Sequence, residues 1–123
     1  DYVPSAPGNN DSLVLRIVHS QRSFLLMGDL ERAEEDRLLG SVALQSDVLK
    51  VGHHGSRTST SQRFLDAVAP SIALISAGYE NSFGHPHPDV TGRLEARHTT
   101  ILRTDRDGLA TVRTDGTHLR YFL

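Results

Sequence analysis

The chain has 123 residues, 37% hydrophobic and 23% charged, which is one domain or a piece of one. Fifteen acidic residues against thirteen basic ones leave a net charge of −2, which advertises no general polyanion-binding surface. Cysteine is absent, so disulfide frameworks, thiolate metal sites and cysteine nucleophiles are excluded, and no apolar run approaches the ~20 residues of a membrane span.

No charged, apolar and small-residue succession at the start marks a signal peptide. Residues 1–12, with Pro4, Pro7, Gly8, Asn9 and Asn10, read as an irregular lead-in. Leu13 to Val18 then reads as an apolar strand, followed by a polar turn over Ser20 to Arg22. Ser23 to Met27 is a strand apolar on both faces, the mark of a sheet covered on both sides. Glu31 to Leu44 predicts a helix, acidic in its first turn, with Leu38, Leu39 and Val42 as its buried stripe. Asp47 to Val51 is a short strand running into Gly52-His53-His54-Gly55-Ser56. A brief helix with Phe64, Leu65 and Val68 inward follows, capped by Ser59 or Ser61 and stopped by Pro70.

Ile72 to Ala77 is again a strand with two apolar faces, and Pro88 opens a helix that ends near Arg97. The tail predicts three strands, from about Thr100, Leu109 and His118. Asp105-Arg106-Asp107-Gly108 and Asp115-Gly116 read as the turns of an antiparallel meander. The order of elements predicts an α/β fold, a mixed sheet covered by helices.

Three polar clusters each follow a buried strand: Gly28-Asp29, His53-His54-Gly55-Ser56, and the His85 to Asp89 loop. In layered α/β folds ligands sit in the crevice outside the strand ends. Taken singly, Asp29 reads as a helix cap and the histidine pair as a turn. Together, a carboxylate and several imidazoles at neighbouring strand ends have the chemistry that holds zinc or a similar divalent ion when thiolates are missing. Ser56, Thr58 and Ser59 precede a helix, where free N–H groups could hold a phosphate; plain capping is the simpler reading.

Five ordered segments resemble the C-terminal half of the metallo-β-lactamase-like domain of the ComEC family of competence proteins. They are Asn10 to Arg16, Ser23 to Glu31, Asp47 to Ser56, Asn81 to Pro88 and Arg103 to Asp105. The resemblance implies half of an αββα sandwich and a single, partial domain over 1–123. It implies a parent protein in the bacterial cell membrane that takes up DNA. There the soluble domain is proposed to hydrolyse the phosphodiester bonds of the non-transported strand. It further implies two divalent ions in the intact domain, zinc or manganese, with none or only loosely held metal in this segment, and no organic cofactor. Asp29 corresponds to the family's metal-bridging carboxylate. His53 best matches the histidine that completes the second metal site, with His54 the alternative. His85 and His87 would stand at the mouth, contacting phosphate or protonating the leaving oxygen.

The family's H-x-H-x-D-H motif matches nothing before Asp29. His85-Pro86-His87-Pro88-Asp89 fits its first five positions, but Val90 replaces the last histidine and the segment lies on the wrong side of Gly28-Asp29. The chain is therefore expected to be part of a larger domain and inactive alone. The alternatives are a non-catalytic structural or DNA-binding domain of the uptake channel, or another phosphodiesterase on the same fold.

Overall fold

The computed structural model describes residues 8–123. Strands β1 (Leu15–His19), β2 (Arg22–Leu26), β3 (Val48–Lys50), β4 (Ile72–Ile75) and β5 (Thr100–Arg103) form one sheet in chain order. β1 pairs antiparallel with β2, and every later pair is parallel. The three parallel steps are bridged by α1 (Arg32–Leu39), α2 (Gln62–Val68) and α3 (Pro88–Ala96). A sheet that adds strands in sequence order places successive crossover helices on the same face.

The register shows why the strands are apolar on both sides. Leu25, Leu49 and Ala73 stand in line under the helices, where they join Phe64, Leu65, Val68, Val90 and Leu94 in the main core. Phe24, Val48 and Ile72 line the opposite face with Leu102. That face is covered by a hairpin of β6 (Thr111–Thr114) and β7 (Leu119–Phe122), through Ala110, Val112 and Leu119. The fold is α/β, with helices on one side of a mixed sheet and an antiparallel hairpin on the other.

Several expectations need correction. The strand expected over Leu13 to Val18 runs over Leu15–His19, and all five of its residues are exposed at one edge of the sheet. α1 is shorter than the expected 31–44 and stops at Gly40, which leaves Val42 54% exposed instead of in the buried stripe. The three-stranded tail meander is not formed. β5 pairs parallel with β4 and belongs to the main sheet, since its Leu102 is needed in the second core. The first proposed turn is a four-residue helix, α4 (Thr104–Asp107), closed by Asp107 Oδ2 accepting from the Arg103 N–H at 2.9 Å. The second turn spans four residues, in which Asp115 Oδ1 accepts from the N–H groups of Thr117 and His118. Of the irregular lead-in, residues 1–7 lie outside the described residues, and Asn9–Asp11 form a turn of 3-10 helix. Among the described residues, no helix is long and apolar enough to cross a membrane.

Candidate functional site

β2, β3 and β4 are adjacent and parallel, so their C-terminal ends open on one edge of the sheet, where all three polar clusters meet. Asp29 follows β2. Its backbone N–H donates to Ser12 Oγ at 2.9 Å, and a Cβ at Gly28 would stand 2.5 Å from Ser12 Cβ, so the close approach requires glycine there.

His53 and His54 follow β3 and both adopt left-handed backbone, at φ 47° and 56°. Two successive non-glycine residues in this region cost on the order of 1 kcal/mol each. The conformation is held by the His53 N–H donating to Gly28 O at 3.0 Å and the Ser56 N–H donating to His53 O at 2.9 Å. Its consequence is that the two rings diverge. His54 Nδ1 lies 2.8 Å from Ser76 O, an acceptor, so the proton sits on Nδ1 and the Nε2 lone pair faces outward. That Nε2 is 3.6 Å from Asp29 Oδ1. His53 instead turns its Nδ1 toward Glu31 Oε1, also at 3.6 Å, and this nitrogen is buried with no hydrogen-bond partner among the described residues.

His85 stands beside them, its ring centroid 6.0 Å from that of His53 and its other face stacked on Phe83. Asn81 anchors this loop, accepting from the His85 N–H at 3.0 Å and donating to His85 O. Burial, then the neighbouring imidazoles of His53, His54 and His87, lower the His85 pKa, which keeps the ring neutral and its lone pair available near pH 7. Burial likewise lowers the Lys50 pKa, against the opposing charge of Asp29. His87 caps α3, its Nδ1 accepting from the Asp89 N–H at 3.2 Å, and its own N–H donates to Gly55 O at 2.8 Å. Gly55 has φ +80°, and a Cβ there would meet Pro86 Cβ at 2.6 Å.

The N–H groups expected to hold phosphate are engaged within the loop, Ser56 with His53 O at 2.9 Å, Thr58 with Ser56 Oγ at 3.4 Å and Ser59 with Ser56 O at 3.1 Å, and so are the hydroxyls. Ser59 is fully buried and donates to Gly52 O, while Ser56 and Thr58 bond one another at 3.0 Å. Ser61, the other of the two expected caps, accepts from the Phe64 N–H.

The donor set fits a divalent ion in kind. Two ligands of a tetrahedral ion with ~2.1 Å bonds stand about 3.4 Å apart. The His54–Asp29 and His53–Glu31 pairs, at 3.6 Å each, are close to that and too long for hydrogen bonds. The set falls short in number, because among the described residues no three His, Asp or Glu side chains converge as ligands of one ion.

Sequence reasoning missed Glu31 and Glu35, which read only as dipole-matching charges. Glu31 reaches His53 and accepts from Thr58 Oγ1 at 3.1 Å. Glu35 is fully buried and accepts from the N–H groups of Thr60 and Ser61. The signal available for Glu31 was its place two residues after Asp29; for Glu35 there was none.

No protein-family model matches the chain. It is 42% identical over 110 residues to ComE operon protein 3 of Bacillus subtilis, covering 85% of this chain and 14% of that protein. It is 44% identical over 102 residues to competence protein ComA of Neisseria gonorrhoeae, covering 81% of this chain and 15% of that one. Recombination protein 2 of Haemophilus influenzae is 40% identical over 103 residues, with 81% and 13% covered. The chain is thus similar to one segment of competence-related proteins, spanning about a seventh of their length.

Proposed function

We propose that the chain is the C-terminal half of a metallo-β-lactamase-like domain in a DNA-uptake protein, and that it supplies one side of a two-metal phosphodiesterase centre. The observation that carries this reading is the meeting of Asp29, His54, His53 and His85 at three adjacent strand ends, with paired nitrogens and oxygens 3.6 Å apart. Asp29, through its two oxygens, and His53 or His54 would hold the ions, with the further ligands provided from outside this segment. Divalent ions, zinc or manganese, would supply Lewis acidity there when bound. The Ser76 carbonyl orients His54 for Asp29 by fixing its tautomer. His85, kept neutral near pH 7, would accept a proton, and His87 would contact a phosphate oxygen or protonate the leaving oxygen. Ser59 is left out of phosphate contact because it is buried and its N–H donates to Ser56 O.

The test uses the parent protein's complete domain, assayed for cleavage of labelled DNA with manganese or zinc. Asp29→Ala and His54→Ala should each lower the rate by at least roughly 10- to 100-fold, the order of what a metal ligand's orienting partner costs. Unchanged cleavage in both variants would leave the alternative of a non-catalytic DNA-binding or structural domain.

A further inference from the structure

Arg32 at the start of α1, Arg57 in the Ser56–Ser61 loop and Arg93 in α3 come from three separate elements and line one groove of about 480 Å3. Among the described residues, Arg22, Arg37, Arg63, Arg97, Arg103 and Arg106 each pair with a carboxylate; Arg16, Arg32, Arg57, Arg93, Arg113 and Arg120 do not, and of these Arg32, Arg57 and Arg93 share this groove. Arg93 donates through one nitrogen to Thr60 O at 2.8 Å, which fixes the guanidinium and leaves its other N–H groups free. Glu31 and Asp89 also line the groove, and each faces a histidine of the site: Glu31 lies 3.6 Å from His53, and Asp89 lies 3.6 Å from His87. The groove's two carboxylates thus adjoin histidines of the site, while its three guanidinium groups pair with no carboxylate among the described residues.

We propose that this groove is the track of a nucleic-acid backbone, in which Arg32, Arg57 and Arg93 hold successive phosphates and lead the strand to Asp29 and His54. The proposal rests on the phosphodiesterase reading for what lies at the inner end, but the binding itself needs no metal. Guanidinium groups suit the role because their planar fork meets two phosphate oxygens at once. Only Arg93 has a hydrogen bond that helps hold the fold, to Thr60 O, and its remaining N–H groups, with Arg32 and Arg57, pair with no carboxylate among the described residues. An overall charge of −2 does not oppose the arrangement, because phosphates at contact distance sense the local groups, within a Debye length of about 8 Å.

The experiment measures binding of fluorescein-labelled single-stranded and duplex oligonucleotides to the 123-residue chain by fluorescence anisotropy. It is run with chelator present, at salt concentrations between about 50 and 200 mM. Arg32→Gln with Arg57→Gln is compared with Arg113→Gln with Arg120→Gln, which removes the same charge from the exposed hairpin. The groove pair should weaken binding by about tenfold and flatten the salt slope by about 1.4 on single strands or 1.8 on duplex. The hairpin pair should leave both unchanged. Equal losses from both arginine pairs, or equal displacement by polyglutamate, would overturn the groove as a nucleic-acid track. No binding by the unsubstituted chain would overturn it too. Because metal is absent throughout, none of these results tests hydrolysis, and a failure of hydrolysis leaves the binding result intact.

Discussion

The Ser61 backbone N–H donates at 3.1 Å to Glu35 Oε2, a carboxylate that is fully buried although it stands 26 residues earlier in the chain. Its other oxygen accepts from the Thr60 N–H, so one side chain of α1 satisfies two amides at the entrance to α2. Thr60 has left-handed backbone at φ 56°, and its carbonyl is held by Arg93. The loop that carries Arg57 and Thr58 beside the histidines is thus pinned from two helices.

Glu35→Ala leaves those two amides without their acceptor in the interior and should destabilise the fold by about 2–4 kcal/mol, measured by urea unfolding followed by circular dichroism. Desolvation raises the Glu35 pKa, against the lowering by the N–H groups of Ser61 and Thr60 and the charge of Arg32. A carboxyl with a raised native pKa binds its proton more tightly when folded. Its contribution is therefore fully present below about pH 4.5 and is lost as pH rises through the native value. Glu35→Gln should flatten that loss; an unaltered pH profile would show that Glu35 ionises as easily in the native state as in the unfolded one.

Asp107 acts in the opposite sense. Hydrogen bonds from the Arg106 side chain and the Arg103 N–H lower its pKa to about 2. Its contribution is present above the unfolded value of about 3.9 and is lost as pH falls through the native one. Asp107→Asn should therefore lessen acid destabilisation below pH ~4, read as a smaller drop in melting temperature on acidification.

Gly55→Ala should destabilise by more than the ~1 kcal/mol of an ordinary glycine substitution, because it combines positive φ with a clash at Pro86. The same change should displace the His85–His87 loop, seen as shifted histidine ring resonances for His85 and His87 with His98 and His118 unmoved.

The isolated chain should show no cleavage of DNA with added zinc or manganese, because no three ligands converge among the described residues. Catalytic zinc ordinarily takes three protein ligands and an open position. In a nitrogen-detected NMR experiment His54 should appear as the Nδ1–H tautomer, and zinc should broaden His53 and His54 before His98 and His118. Chelator-sensitive nuclease activity from the pure 123-residue chain would overturn the incomplete-centre reading.

What the sequence by itself determined was local. Both-faced apolarity of Ser23–Met27 and Ile72–Ala77, the Pro88 helix start and the polar clusters after three strands were all legible, because each depends on residues within a few positions. They were enough to predict a covered α/β sheet with its chemistry at the strand ends. Tertiary structure alone decided the rest. Whether an apolar strand ends as an exposed edge like β1 or an inner strand like β3 depends on which neighbours pair with it, and some of those lie far along the chain. The burial of Glu35 rests on amides 25 and 26 residues away. Which member of His53-His54 faces Asp29 was set by two left-handed residues, whose backbone turns adjacent rings in different directions toward Glu31 and Ser76.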